Sequence, residues 1–315
     1  MGKAPPRIKV AILDDGAKLA DLNGVQQGWT FRLDNQEYFV GPCKHGTEMA
    51  VCVRDVCPFV ELFIARLDDS HIREPNQKFT ITSCTKALRW ALDQGADVIS
   101  MSWTYERSDG DADKAEFEEV VRSAVSKDKA IFFGSLPDRG PNKIVSRYAP
   151  VGLEGVVKIS SASSSGSVTA ENMLQKYDFL LPGEEIRDSK NEVARGSSFT
   201  TAYAAGLAAL ILYSIKALEV LGDYPQSQRP SEALMVAKKA AGMKRIFEIL
   251  SQGGLKDTNL GRLGHFVRPS IMLDAHNLSG SEASQEAELL SIVNNLVPIH
   301  LRRDLLPGVG PKSPG

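Results

Sequence analysis

Three short stretches carry the residue types that acyl transfer needs. Ile12-Leu13-Asp14-Asp15-Gly16 ends an apolar run in two acids and a glycine. His45-Gly46-Thr47-Glu48-Met49-Ala50 opens a helical pattern with a histidine, and Gly196-Ser197-Ser198-Phe199 puts a serine where a polar loop enters a long apolar segment. Taken singly, each has a plainer reading: a solvated strand end or the Mg²⁺-binding acids of a phosphoacceptor receiver domain, a capping or packing histidine, an N-cap serine. Taken together they make an acid, a histidine 31 residues on and a serine 153 further. A serine hydroxyl is a poor nucleophile at neutral pH until an adjacent base takes its proton, and the imidazolium then formed needs a buried carboxylate. At a helix start, Ser198 also offers its own N–H and the positive end of the helix dipole to an oxyanion. A receiver domain would leave His45 and Ser198 unexplained.

These residues need a frame that brings distant segments together. Residues 8–14, 60–67, 97–102, 130–134 and 155–161 are apolar runs bounded by Gly, Asp or Pro, too short for helices, and read as buried parallel strands. Between them, Cys84, Ala87, Leu88, Ala91 and Leu92 make one helical stripe, and Phe117, Val120, Val121, Ala124 and Val125 make another. The alternation predicts an α/β fold: a three-layer, doubly wound, mostly parallel sheet with its ligand crevice beyond the carboxyl ends of the strands. Residues 199–219, apolar on nearly all faces, predict a buried helix. A further helix is expected from Ser231 to about Leu250, opened by Pro230, and a last one along Leu289, Ile292, Val293 and Leu296. The resulting division is a core over 1–222, a helical C-terminal extension of the same domain over 223–300, and a flexible tail over 301–315.

The words around the three residues match a known pattern. ILDDG resembles the Asp-x-Gly strand end of subtilisin-like serine proteases, HGTEMA their His-Gly-Thr-His-Val-Ala segment, and GSSFTTAYAAG, without a gap, their Gly-Thr-Ser-Met-Ala-x-Pro-His-Val-Ala-Gly helix start. DVISMS looks like the family's substrate-lining strand and YDFLLPGEEI like its Pro-Gly stretch before the serine, so the resemblance covers about residues 8–220. It implies a subtilisin-like fold and a serine endopeptidase acting on peptide or protein substrates through an acyl-enzyme. Asp14 would orient the imidazole, His45 act as general base and Ser198 as nucleophile. Ser102, Trp103, Thr104 and Gly134 would line the substrate site, an extended peptide adding as a strand to residues 100–104. Asp15, where the family usually has a small residue, is expected to face away.

Other positions depart from the family. Its oxyanion-hole asparagine sits in an Ala-Ala-Gly-Asn segment, matched here by Phe132-Phe133-Gly134-Ser135. Ser135 would then have to donate with a shorter side chain, with Asp138 or Asn142 as alternatives, and loss of such a donor costs about 10² to 10³ in rate. Trp103 and Thr104 replace the family's Leu-Gly pair, Glu48 its second histidine and Thr201 its helix proline. The competing reading is a catalytically weak or inactive binding or regulatory module on the same fold, within a larger protein or beside associated regulatory domains.

Composition bounds the remaining classes. The chain's 37 Lys and Arg against 39 Asp and Glu give a formal net charge of −2, which argues against a polyanion binder and so against a nucleic-acid partner. With 43% hydrophobic and 24% charged residues over 315 positions, the chain can build a real core without disulfide or metal staples. Cys43, Cys52, Cys57 and Cys84 contain no Cys-x-x-Cys pair and read as reduced, buried thiols. There is no signal-peptide pattern and no run of about 18 apolar residues. Pro6 stands where a myristoylation signal wants Ser or Thr. The expectation is a cytoplasmic protein of the intracellular, propeptide-free type, with no membrane partner and no cofactor. Asp109-Gly110-Asp111-Ala112-Asp113 lacks the twelve-residue calcium loop with its closing Glu and is read as a solvated turn, so no metal site is assigned.

Overall fold

The structure, a computed structural model, describes residues 6–22, 26–34, 36–40, 44–70, 77–137, 144–163, 166–167, 176–183, 186–187, 193–221, 230–251, 266–267 and 282–306. The chain divides into two compact units, residues 7–210 and a second that takes in residues 211–315. The boundary falls inside the long apolar helix, earlier than the division at residue 222 drawn from the sequence.

The first unit is built on seven parallel strands: β1 (Ile8–Asp14), β2 (Gln26–Thr30), β3 (Val60–Arg66), β4 (Val98–Met101), β6 (Ile131–Ser135), β8 (Val156–Ala162) and β9 (Phe179–Pro182), in the order β2-β3-β1-β4-β6-β8-β9. Two short antiparallel pairs stand apart, β5 (Tyr105–Glu106) with β7 (Tyr148–Ala149) and β10 (Ile186–Arg187) with β11 (Val193–Ala194). All five expected strands are present, within a residue or two at their ends. β2 and β9 are additional, and both are edges. The chain leaves β1 for one side of the sheet and returns to its other side at β4. That reversal opens a crevice beyond the ends of β1 and β4, where doubly wound sheets bind ligands.

Helices α1 (Lys44–Val56), α2 (Ile81–Asp93), α3 (Ala112–Ser126) and α4 (Ser197–Leu221) cover the sheet. Alternation along β1 sends Ala11 and Leu13 into the cluster that α2 and α3 supply with Ala87, Leu88, Ala91, Phe117 and Val121. Val10, Ile12 and Asp14 face the other way, and every residue of the strand except half-buried Lys9 is buried, so both faces are packed. On that second face α4 crosses α1 closely: a Cβ on Gly206 would lie 2.7 Å from the Val53 carbonyl oxygen. The sequence reading found no membrane-length apolar run, yet Ser197–Val220 is long and apolar enough to be one (mean hydropathy 1.5). Two thirds of that window is buried within the protein, as in the core helix of a globular fold.

The second unit departs from the sequence reading twice. The helix expected over 231–250 is two helices, α5 (Pro230–Ala237) and α6 (Ala240–Ser251). A Cβ at Gly242 would collide with the Val236 carbonyl, so the glycine permits the sharp approach between them. After α7 (Glu282–Leu296), residues expected as flexible tail form α8 (Ile299–Leu305), pinned by buried Leu301 and by the buried Arg302 guanidinium, which donates to Val297 O (2.8 Å) and Asn294 Oδ1 (2.7 Å). Residues 307–315 lie outside the described residues.

Candidate active site

The end of β1 and the start of α1 form one hydrogen-bonded unit. Asp14 is the last strand residue and 1% exposed. Its carboxylate accepts from the Asp15 N–H (2.8 Å) and from His45 Nδ1, which lies 2.8 Å from Oδ1 and 2.9 Å from Oδ2. A carboxylate has no proton to give, so Nδ1 carries the hydrogen and Nε2 presents its lone pair. Burial pushes the His45 pKa down, but the charge and hydrogen bond of Asp14 outweigh it, with a smaller contribution from Asp15, and the net shift is upward from 6.5.

Asp15 does not face away, which corrects the sequence reading. Its Oδ1 accepts from the Gly46 N–H (2.6 Å) and its Oδ2 from the His45 N–H (3.3 Å), two donors at the start of α1 that no turn of the helix can satisfy. Gly46 is required by the same approach. A Cβ there would collide with the Gly16 carbonyl oxygen and sit 2.9 Å from Asp15 Oδ1. Thr47 Oγ1 adds a third tie by accepting from the Lys18 N–H (2.9 Å).

Ser198 stands in the first turn of α4. Gly196, with φ of 131°, turns the chain into the helix through a conformation that L side chains rarely adopt. Thr200 and Thr201 hydroxyls close back on the Ser197 carbonyl (3.0 and 2.7 Å) and fix the first turn. Ser198 is tied to the segment after β4 by two reciprocal bonds: its Oγ donates to the Ser102 carbonyl (3.1 Å), and Ser102 Oγ donates to the Ser198 carbonyl (3.0 Å). Among the described residues no hydrogen bond joins Ser198 to His45. The structure therefore brings Asp14 to His45 and Ser198 to Ser102. The sequence model of the Subtilase family matches residues 6–221. The chain belongs to the subtilase family.

Solved structures agree on the subtilase fold. A lanthipeptide protease is 18% identical over 92% of this chain and 89% of its own, with a TM-score of 0.62. The epidermin leader peptide processing serine protease of Staphylococcus aureus is 14% identical over 88% of this chain and 78% of its own (TM-score 0.64). A cold adapted subtilisin-like serine proteinase is 18% identical over 82% and 88% (TM-score 0.59). No curated protein sequence matches the chain significantly.

Of the residues expected to line a subtilase substrate site, the structure keeps some near the site and removes others. Met101 pairs with Gly134 in the sheet, so Ser102 and Ser135 follow side by side at the carboxyl ends of β4 and β6. Ser135 is buried there; Asp138 and Asn142 lie outside the described residues. Trp103 is corrected from cleft wall to core: it is 4% exposed, its indole N–H donates to the Leu13 carbonyl (2.7 Å), and its ring lies against Phe79 and Phe117. Gly134 is likewise buried, and a Cβ on it would lie 3.0 Å from Val151 Cα and 3.1 Å from Val156 Cγ1. Ser100 and Met101 are taken up by sheet partners, Ser102 is 2% exposed, and of this segment Thr104 is half-buried.

The other chemistry-bearing groups of this subtilase are structural. Cys52, Cys57 and Cys84 are free and buried, and burial pushes the Cys52 thiol up to about 12 and the Cys57 thiol up to about 11, far from a reactive thiolate. Cys43 lies outside the described residues. Asp111 caps α3, accepting from the Asp113 and Lys114 N–H groups, which gives the acidic turn a structural use. Among the described residues no cluster of three or more His, Cys, Asp or Glu is placed to hold a metal ion.

Proposed function

We propose that this chain is a serine endopeptidase that hydrolyses peptide bonds of extended segments through an acyl-enzyme. The observation that carries the reading is the Asp14–His45 pair. It holds the imidazole by Nδ1 with Nε2 as the basic nitrogen, and Ser198 in the first turn of α4 supports the reading as the hydroxyl it would serve. In the reaction the Ser198 hydroxyl leaves the Ser102 carbonyl by rotation about χ1 and gives its proton to His45 Nε2 as Oγ attacks the substrate carbonyl. The imidazolium is stabilised by Asp14 and then protonates the leaving amine; water, deprotonated by His45, releases the acyl group in the same way. The backbone N–H of Ser198 and the positive end of the α4 dipole oppose the oxyanion, with Ser135 as the side-chain donor. The cytoplasm remains the proposed compartment on composition alone.

Labelling with a fluorophosphonate tests the reading. The wild type is expected to react and Ser198→Ala and His45→Ala to stay unlabelled. No labelling of the wild type at any pH between about 6 and 9, the range in which a histidine base titrates, would sink it. That result would favour the second reading, a binding module on the protease fold, which the resting bond from Ser198 Oγ to Ser102 supports.

A further inference from the structure

Asp15 takes no part in the steps above, yet it is the residue through which β1 grips the helix that carries the imidazole. We propose that Asp15 is the positioning residue of His45: its carboxylate seats the start of α1 and holds a second negative charge beside the ring. The proposal rests on the reading of His45 as general base.

Consecutive residues of one strand end divide the work. Asp14 accepts from the ring of His45 (Nδ1, 2.8 Å), while Asp15 accepts from the backbone of the same residue (3.3 Å) and of the next (2.6 Å). Rotation of the imidazole and displacement of its helix are thereby both referred to a single dipeptide. Gly46 completes the fit, because any side chain there would push the helix away from both the Gly16 carbonyl and the Asp15 carboxylate. A neutral amide would satisfy the closer of these donors, the Gly46 N–H, through its one oxygen. What an acid adds is charge at the positive end of a helix and close to a ring that must become cationic in the reaction.

The cost is visible in the structure. Asp15 is half-buried, and burial and then the Asp14 charge push its own pKa upward against the stabilising bonds from Gly46 and His45. The charged groups facing the imidazole are Asp14 and Asp15 from the strand end, which favour the imidazolium, and Lys78 ahead of α2, which opposes it. On the ring's own helix, Lys44 and Glu48 pair with each other at 3.6 Å. Removing the Asp15 charge therefore leaves Asp14 alone against burial and Lys78.

The test follows the ring ¹H–¹³C resonances of ¹³C-histidine in the whole chain through pH, the His45 signal being the one of five that His45→Gln removes. Asp15→Asn keeps an amide oxygen for the Gly46 N–H but no charge. It is expected to lower the His45 midpoint by about half a unit or more, the size expected for one charge a few ångströms away in a partly solvated site. The fluorophosphonate labelling profile should move to lower pH by the same amount. Asp15→Ala is expected to lower the midpoint equally and, having lost the seat, also to lose thermal stability and labelling rate at the pH plateau. Asp15→Ser, an uncharged acceptor, serves in place of an Asn variant that fails to fold. An unmoved His45 midpoint in a folded, uncharged variant would overturn the proposal, as would Asp15→Ala and Asp15→Asn having equal plateau rates and stabilities. The titration reads His45 whether or not Ser198 reacts, so failure of the protease reading appears separately, as a wild type that titrates normally but never labels.

Discussion

The two halves of the crevice are built to different tolerances. On the β1–α1 side the imidazole is fixed from several directions: two carboxylate oxygens at Nδ1, two acceptors at the helix start, a glycine that admits the contact, and the Thr47 tie to Lys18. On the β4–β6–α4 side the Ser198 hydroxyl rests on the Ser102 carbonyl, and Ser135, proposed as the side-chain donor, ends β6 beside that segment. Groups that would have to keep one tautomer and orientation throughout the proposed reaction are over-determined. The hydroxyl that must move is held by one bond that costs little to exchange, a net hydrogen bond being worth about 1 kcal/mol. On the proposed reading, the imidazole is preorganised in the resting protein, and the demand on substrate binding falls on Ser198 and the oxyanion.

The difference can be broken first on the rigid side. Asp14→Asn keeps the shape but offers a mixed donor and acceptor to Nδ1, so the ring can sit in the wrong tautomer. The expected loss in the rate of fluorophosphonate labelling is about 10⁴-fold. A loss under tenfold would mean that the Asp14–His45 contact does not carry the chemistry. On the loose side the expected change is a gain. Ser135→Asn supplies a longer donor beside Ser102, and restoring such a group is expected to raise kcat by roughly 10-fold to 10²-fold, with a smaller effect on KM. An unchanged or lower kcat would show that another group faces the oxyanion, or that the buried end of β6 has no room for the amide.

The same contrast separates what could be read in the sequence from what could not. The five central strands were legible because strands packed on both faces are apolar without interruption. β2 was not, since its sequence QQGWT has neither an apolar run nor alternation. It is an edge strand whose Trp29 is 60% exposed, so no burial pattern is imposed on it. The match of the three motifs singled out Asp14, His45 and Ser198, and the structure joins the first two through Nδ1. The part played by Asp15 was hidden. Capping signals are sought next to a helix in sequence, and this acceptor reaches α1 from 30 residues upstream. Trp103 was misplaced because its position was carried over from the family's substrate-lining segment. In fact the strand ends at Met101 and the indole turns to the Leu13 carbonyl. The break between α5 and α6 left no mark in an apolar pattern that continues across it.

The smallest expected effect, and the one that ties chemistry to stability, is the pH response of the rigid half. In the proposed reaction His45 serves as a base only when neutral, and its pKa lies above 6.5 because Asp14 outweighs burial. Labelling should therefore rise with pH and reach half its plateau above pH 6.5. Stability moves the other way. A histidine whose pKa is raised on folding binds its proton more tightly in the native state, so its contribution is complete below the unfolded value of 6.5 and is lost as pH rises through the folded value. Asp15 acts in the same sense in a lower window. Its pKa is raised from 3.8, so folding loses stability as pH climbs from there through the native value. The thermal midpoint of the wild type minus that of His45→Gln should accordingly shrink across the same pH interval in which labelling switches on. A difference that stays constant or grows through that interval would show that the Asp14–His45 pair does not favour the imidazolium. The site would then have to gain its base strength from groups that arrive only with the substrate.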